Sequence, residues 1–137
     1  KLWLNTLVMV TDSTPENGAT WVLPGSQELR DAPSRQEFQE GAVQICGKAG
    51  DVLIFNGWVW HSAGENQTSD RRVIVTPFFS KPFIKQQLDY PRAFGLHFGD
   101  IVSDNLRQIL GYNARVPSSL DEFYAAAPDR FYQSSQG

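Results

Sequence analysis

Cysteine, clustered basic residues and long apolar runs are scarce in this chain, and each scarcity argues against a class of protein. Cys46 is the single cysteine among 137 residues, so no disulfide forms within the chain, which is typical of a reducing, cytoplasmic setting. The 12 lysines and arginines are dispersed among 15 acidic residues, giving a net charge of −3. Nucleic-acid binding is disfavoured because phosphate neutralisation needs clustered cations. No apolar run approaches the roughly 20 residues of a membrane span.

Histidine is also rare, since the chain has only His61 and His97. Neither is followed two positions later by Asp or Glu, so the sequence has no His-x-Asp metal-binding motif. Asp100 follows His97 by three positions in an irregular region, and we interpret this pair as structural rather than as a metal site. Cys46 ends the strand-like run Val43–Cys46 with no histidine beside it, so we expect a small buried residue rather than a nucleophile.

The chain does contain enough apolar material for a folded core. Hydrophobic residues make up 41% and aromatic residues 12% of the sequence, which disfavours intrinsic disorder. A chain of this length falls in the usual size range of one domain, about 100–150 residues. We expect a partial jelly-roll core over residues 1–82 and a helical or irregular extension over residues 83–137, packed on that core within a single domain.

The β core is predicted from runs of β-branched and aromatic residues separated by Gly, Asn, Pro and Asp, which is strand and turn chemistry. The predicted strands are Leu2–Val10, Ala19–Leu23, Val43–Cys46, Asp51–Phe55, Trp58–His61 and Arg71–Phe79. Trp58 and Trp60 alternate with His61 along their strand. We therefore expect these two rings to pack under the C-terminal segment rather than to line a pocket.

Helices are predicted mainly after residue 82, from apolar residues at helical spacing. The predicted segments are Phe83–Asp89, Ser103–Leu110 and Leu120–Ala126. Ser119, followed three residues later by Glu122, is a capping-box pattern at the start of the last segment. The charged stretch between Gln27 and Gly41 is predicted to be a surface excursion with one helical turn after Ser34.

His61 and Arg72 are the residues best suited to chemistry. His61 ends one predicted strand, and Arg72 begins the next strand eleven residues later. If these strands are neighbours, both side chains point into one interior, which suits an anionic chelating ligand held between a metal and the guanidinium. A strand-end histidine and a carboxylate-paired surface arginine are the alternatives. Asn5, on the strand Leu2–Val10, either makes a strand-end hydrogen bond or contacts the same anionic ligand.

These residues belong to a longer pattern. The chain carries Asp12–Gly18 (DSTPENG), then Trp21–Ser26 (WVLPGS), then Ala49–Ile74 (AGDVLIFNGWVWHSAGENQTSDRRVI). In order and spacing over residues 2–80 it resembles the phytanoyl-CoA dioxygenase family of non-haem Fe(II)/2-oxoglutarate oxygenases. The resemblance implies a double-stranded β-helix, a cupin-like jelly roll. It also implies that His61 is an iron ligand and that Arg72 holds the distal carboxylate of 2-oxoglutarate.

The activity implied by the resemblance is hydroxylation of a C–H bond in a small-molecule substrate, coupled to conversion of 2-oxoglutarate and oxygen into succinate and carbon dioxide. The chain departs from the family at two points. The family's His-x-Asp motif, which precedes the strand that opens this chain, is absent, and Gln27 stands where the family often has a histidine. We therefore expect the C-terminal catalytic half of such an enzyme, inactive alone and completed by preceding strands or by a second copy.

Two other functions stay open on the sequence. The first is a metal-free jelly-roll fragment that acts as a binding or interaction module. The second is a carbohydrate-binding jelly roll that uses tryptophan rings as stacking platforms. It requires at least two exposed rings on one surface, from among Trp3, Trp21, Trp58 and Trp60.

Overall fold

The computed structural model describes residues 3–130, and this part of the chain is mainly β with short helices. Its strands are β1 (Trp3–Met9), β2 (Thr20–Val22), β3 (Val43–Ile45), β4 (Val52–Asn56), β5 (His61–Ser62), β6 (Ile74–Val75) and β7 (Phe78–Ser80). Its α-helices are α1 (Arg35–Gly41), α2 (Tyr90–Phe94), α3 (Phe98–Ile101), α4 (Asp104–Ile109) and α5 (Leu120–Phe123). The strands form two open sheets, and residues 3–130 close no barrel.

The first sheet is organised around β1. Strand β4 pairs antiparallel with β1 on one side, from Leu4 opposite Asn56 to Val8 opposite Val52. Strands β6 and β7 also pair with β1, and Thr6 binds the Pro77 carbonyl oxygen through its backbone N–H at 3.1 Å and its hydroxyl at 2.8 Å. Because side chains alternate across a strand, one face of this sheet is buried and the other is exposed. Leu7 and Met9 are buried, whereas Leu4, Val52, Ile54 and Val75 are exposed.

The second sheet has β2 between β3 and β5. Val22 lies opposite Val43 on one side and opposite His61 on the other. Ala19 and Val22 are buried and contribute to the core of this part of the chain. Beyond β5 the backbone of Gly64 lies against the Gly18 turn, and a Cβ on Gly64 would lie 2.5 Å from the Ala19 carbonyl oxygen. This close approach fixes the loop that follows His61.

The chain divides into two compact units, Lys1–Phe79 and Ser80–Gly137. Short helices with serine or aspartate caps form the described part of the second unit, which ends at residue 130. The prediction that residues 83–137 pack on residues 1–82 within one domain stays a prediction. Within residues 3–130, no helix combines the length and apolar character needed to cross a membrane.

Two predicted strands in the first unit are wrong in extent. Trp58–Trp60 form a turn rather than a strand, because the Asn56 side chain accepts the Trp58 N–H and the Asn56 carbonyl accepts the Val59 N–H. The predicted strand Arg71–Phe79 is interrupted between β6 and β7, where Pro77 has no N–H to donate. The remaining predicted strands are confirmed within two residues at each end, although Lys1 and Leu2 lie outside the described residues.

Three further expectations need correction. Cys46 is exposed rather than buried. The single turn expected after Ser34 is a seven-residue helix, α1, with a complete capping box between Ser34 and Glu37. Phe83–Asp89 is not helical: the helix begins at Tyr90, because Asp89 accepts the Arg92 N–H as N-cap and a proline occupies the first turn. The expected Ser103 and Ser119 starts are confirmed by cap hydrogen bonds.

Candidate functional site

His61 occupies a defined orientation at the start of β5. Its Nδ1 atom lies 2.8 Å from the Val59 carbonyl oxygen. Because a carbonyl oxygen only accepts hydrogen bonds, Nδ1 carries the hydrogen and Nε2 keeps its lone pair in the neutral ring. His61 as a whole is exposed. This is the arrangement found for metal-binding histidines, whose second ring nitrogen donates to a carbonyl or carboxylate.

Phe55 is a neighbour of both His61 and Asn5. The rings of Phe55 and His61 meet edge to face, with centroids 5.1 Å apart. Asn5 is directly opposite Phe55 in the pairing of β1 with β4, so these two side chains share a sheet face. Contact of Asn5 with the ligand of His61 stays a prediction.

Arg72 lies two residues before β6, at the far end of β1. The backbone here is held by Val73, whose carbonyl accepts from the N–H groups of Val10 and Thr11 at 3.0 and 3.2 Å. Arg72 is half-buried between exposed Arg71 and exposed Val73. Within residues 3–130 its guanidinium takes part in no hydrogen bond or ion pair. Convergence of Arg72 with His61 on one ligand stays a prediction.

A cavity of about 700 Å³ lies next to His61. Helix α1 and the segment before it form one wall, and β2 with the segment around β5 forms the other. Its lining includes three aromatic rings and two charged side chains, Trp21, Phe38, Trp60, Arg35 and Glu65. The cavity therefore combines aromatic, small and polar residues beside the imidazole, with opposite charges available at its wall.

The expectation that Trp60 does not line a pocket is wrong, because the turn that replaces the predicted strand directs it to the cavity. Trp58 instead stacks on Trp3, with ring centroids 5.2 Å apart. Trp58 and Trp60 are both exposed, whereas Trp3 and Trp21 are half-buried. The two exposed rings therefore belong to different clusters, Trp58 with Trp3 and Trp60 with the cavity.

Helix α1 is anchored by its capping box. The Ser34 hydroxyl accepts the Glu37 N–H at 3.2 Å, and the Glu37 carboxylate accepts the Ser34 N–H at 2.7 Å. Hydrogen bonding to the Ser34 hydroxyl, followed by that to the Ser34 backbone, lowers the pKa of Glu37. Because Ser34 also lines the cavity, this cap fixes one of its walls.

The donor set for iron is partial. No cluster of three or more His, Cys, Asp or Glu side chains suited to a metal occurs among residues 3–130. His61 fits as one ligand through Nε2, but a facial triad needs two histidines and one carboxylate. His97 lies 3.5 Å from Asp100 with both side chains exposed, in keeping with its interpretation as a structural pair.

Comparison with protein families identifies the class. Residues 2–74 match the model of phytanoyl-CoA dioxygenase. This match covers more than half of the chain and includes His61 and Arg72. The fold and this match therefore define a chain of the Fe(II)/2-oxoglutarate oxygenase class. More narrowly, the chain belongs to the phytanoyl-CoA dioxygenase family.

Relatives extend the match beyond the first unit. The uncharacterized protein Rv1501 of Mycobacterium tuberculosis is 33% identical over 134 residues, which cover 98% of this chain and 49% of Rv1501. Dioxygenase af480 of Aspergillus fumigatus is 28% identical over 111 residues, covering 78% of this chain and 35% of af480. The chain thus spans about half, or less, of the length of these relatives.

Solved structures confirm the predicted double-stranded β-helix class. AviO1 from Streptomyces viridochromogenes superimposes with a TM-score of 0.56 at 24% identity, covering 62% of this chain and 39% of AviO1. SnoN, a non-haem α-ketoglutarate-dependent epimerase from nogalamycin biosynthesis, gives a TM-score of 0.50 at 27% identity, covering 56% of this chain and 32% of SnoN. α-Ketoglutarate is another name for 2-oxoglutarate, the co-substrate implied by the family resemblance.

Sequence reasoning missed the cavity residues Phe38 and Trp60 and the buried hydroxyl of Ser26. Phe38 follows the Ser34 cap by four residues, so a longer predicted helix would have placed it on the same face as the cap. Trp60 was missed because the strand pattern concealed the Asn56 turn. In the sequence, Ser26 stands out only as part of the segment Trp21–Ser26, and no local signal indicates its hydrogen bond to Trp60, 34 residues away.

Proposed function

We propose that this chain is the C-terminal catalytic half of an Fe(II)/2-oxoglutarate-dependent dioxygenase, a hydroxylase of the phytanoyl-CoA dioxygenase type. The observation that carries the proposal is the hydrogen bond from His61 Nδ1 to the Val59 carbonyl, which leaves Nε2 free for a metal. The family membership of residues 2–74 supports it.

The proposed roles follow from the chemistry of each side chain. His61 binds Fe(II) through Nε2. Arg72 binds the distal carboxylate of 2-oxoglutarate, because a planar guanidinium matches a carboxylate in two parallel hydrogen bonds. Asn5 contacts the same co-substrate from β1, where it lies opposite Phe55. Bound iron supplies oxygen activation, which no protein side chain provides.

The cavity beside His61 is the proposed space for the small-molecule substrate. Trp21, Phe38 and Trp60 provide apolar contact that orients it beside the imidazole. These three aromatic side chains favour a substrate with an apolar or planar portion. Arg35 and Glu65 offer one charge of each sign for its polar groups.

The other two iron ligands must come from outside the described residues. We propose that preceding strands with a His-x-Asp motif, or a second copy of the chain, supply them and complete the barrel. β5 pairs only with β2 within residues 3–130, so its other edge is available for such a strand. On this proposal the 137-residue chain is inactive alone, resides in the cytoplasm, and has its helical unit packed on the jelly roll.

A non-catalytic, metal-free binding module is the alternative. It would retain the jelly-roll framework without iron. It predicts no metal at His61 and no succinate from 2-oxoglutarate, with or without completing strands.

Metal binding by the full-length protein separates the two functions. We expect His61→Ala to weaken Co(II) binding, used as a spectroscopic stand-in for Fe(II), by roughly 100-fold or more, because even outer-shell partners of a ligand contribute about 10–100-fold. The matched control is His97→Ala, which removes the other histidine and should leave the Co(II) absorption titration unchanged. Equal affinity in the wild type and His61→Ala would contradict the proposal.

A further inference from the structure

Ser26 carries a buried hydroxyl that the proposed mechanism does not yet use. It is 3% exposed and lies in the turn after Pro24 and Gly25. Its Oγ donates to the Leu23 carbonyl at 2.6 Å and accepts the Trp60 backbone N–H at 2.8 Å. One hydroxyl thus joins two segments that are 34 residues apart.

The second of these segments is the one that leads into His61. The Trp60 carbonyl accepts the Leu23 N–H at 2.9 Å, so both backbone polar groups of Trp60 are bonded to the turn that contains Ser26. On the other side, Asn56 satisfies the N–H groups of Trp58 and Val59. The residues between Asn56 and His61 are therefore held at both ends by polar side chains.

This fixation bears on the imidazole through Val59. The Val59 carbonyl that accepts His61 Nδ1–H belongs to the peptide group whose N–H, that of Trp60, is bound by Ser26. Rotation of this single peptide group would move the acceptor away from Nδ1. The tautomer of a histidine is set by the hydrogen bond that its other nitrogen makes, so the orientation of this peptide group bears on which His61 nitrogen is free.

We propose that Ser26 is a positioning residue for His61: by holding the peptide group between Val59 and Trp60, it keeps the hydrogen on Nδ1 and leaves Nε2 available to a metal. The metal part of this inference rests on the proposed function, whereas the tautomer part does not. A purely structural role, as support for the turn Ser26–Glu28, would not affect the imidazole.

The test compares three variants of the full-length protein. Ser26→Ala removes both hydrogen bonds, Ser26→Thr keeps the hydroxyl, and Ser13→Ala truncates another serine that is also 3% exposed but makes no side-chain hydrogen bond to the Asn56–His61 segment. The first readout is the long-range ¹⁵N–¹H spectrum of the His61 imidazole without metal, which distinguishes the two tautomers. The second is the Kd for Co(II).

We expect a single Nδ1–H tautomer in the wild type, Ser26→Thr and Ser13→Ala. In Ser26→Ala we expect the Nε2–H form to appear and Co(II) affinity to fall by about 10–100-fold, the usual effect of losing an outer-shell partner. A folded Ser26→Ala protein whose His61 stays wholly in the Nδ1–H form would overturn the proposal. If Ser26→Ala does not fold, Ser26→Cys replaces it in the comparison, because a thiol is a weaker hydrogen-bond donor and acceptor than a hydroxyl. An unchanged His61 tautomer in Ser26→Cys would likewise overturn the proposal.

The outcomes also separate this inference from the proposed function. A tautomer change in Ser26→Ala, in a protein that binds no Co(II) even as wild type, would support positioning by Ser26 and contradict the dioxygenase proposal. Tight Co(II) binding in the wild type, with the same His61 tautomer in Ser26→Ala, would support the dioxygenase proposal and contradict positioning by Ser26.

Discussion

The two compact units of this chain are stabilised by different kinds of contact. In the unit Lys1–Phe79, hydrogen bonds join residues far apart in sequence, such as Thr6 with Pro77. In the described part of Ser80–Gly137, most of the hydrogen bonds are local, and helices of four to six residues begin at caps such as Ser103 and Ser119. The first unit therefore fixes side-chain positions by long-range pairing, and the second mainly by local capping.

Each unit contains one histidine, and the difference between them shows what long-range pairing provides. His61 is held through Nδ1 by a backbone carbonyl, beside the Phe55 ring. His97 has a fully exposed side chain whose Nδ1 lies 3.5 Å from the carboxylate of Asp100, three residues away. A histidine that binds a metal needs an oriented ring nitrogen. His61 meets this requirement and His97 does not.

Replacing arginine in each unit gives the largest expected contrast. Arg72→Ala should raise the 2-oxoglutarate concentration for half-maximal succinate formation by the full-length protein roughly 10-fold or more, because a hydrogen bond to a charged group contributes about 1.5–3 kcal/mol. Arg107→Ala is the control from the second unit, where the guanidinium Nε instead donates to Asn113 Oδ1 at 3.0 Å. It should leave that requirement unchanged. An unchanged requirement in Arg72→Ala would show that the guanidinium does not bind the co-substrate.

Local sequence pattern was sufficient for elements in both units. In the first unit, strand β1 was recognisable as the apolar run Leu2–Val10. In the second unit, the capped start at Ser119 was recognisable because a serine precedes a glutamate by three residues. Both signals are local in the sequence. His61 was also singled out from sequence, although its orientation was not.

Three of the misses share a physical cause, which is competition from side-chain hydrogen bonds. Asn56 takes the Trp58 N–H and turns the chain where alternation predicted a strand. Asp89 takes the Arg92 N–H and starts a helix where apolar spacing predicted an earlier one. The Ser26 hydroxyl acts on Trp60 across 34 residues, a contact that no local pattern encodes. Fine orientation of the site depends on such contacts, so it could not be predicted from the sequence.

Removing one N-cap in each unit should give a smaller effect that tests whether the units unfold separately. Ser34→Ala and Ser119→Ala each delete a cap hydrogen bond to the third following residue, at a cost of about 1 kcal/mol. All four tryptophans lie in the first unit, at positions 3, 21, 58 and 60. Tryptophan fluorescence during urea unfolding should therefore shift to lower urea for Ser34→Ala only. Equal shifts would mean that the two units unfold together.

The smallest expected effect is the pH response of the two capping carboxylates, Glu37 and Glu122. Both have a lowered pKa, Glu37 chiefly through the Ser34 hydroxyl and Glu122 chiefly through the Ser118 backbone N–H. A lowered carboxyl pKa contributes stability that is present above the ordinary glutamate pKa and is lost as pH falls through the lowered value. The amide protons of Ser34 and Ser118 should report these transitions by NMR, below the ordinary pKa.

Salt distinguishes the two carboxylates further, because the Arg115 guanidinium also lowers the pKa of Glu122, whereas no charged neighbour contributes for Glu37. Screening weakens attraction between exposed charges more than it weakens short hydrogen bonds. Raising the ionic strength should therefore move the Ser118 transition toward the ordinary pKa and leave the Ser34 transition nearly fixed. Glu37→Gln and Glu122→Gln are the controls, since each keeps an acceptor and abolishes its own titration. Equal salt shifts at the two amides would show that both caps depend on charge to the same extent, and the local chemistry of the two units would then be alike.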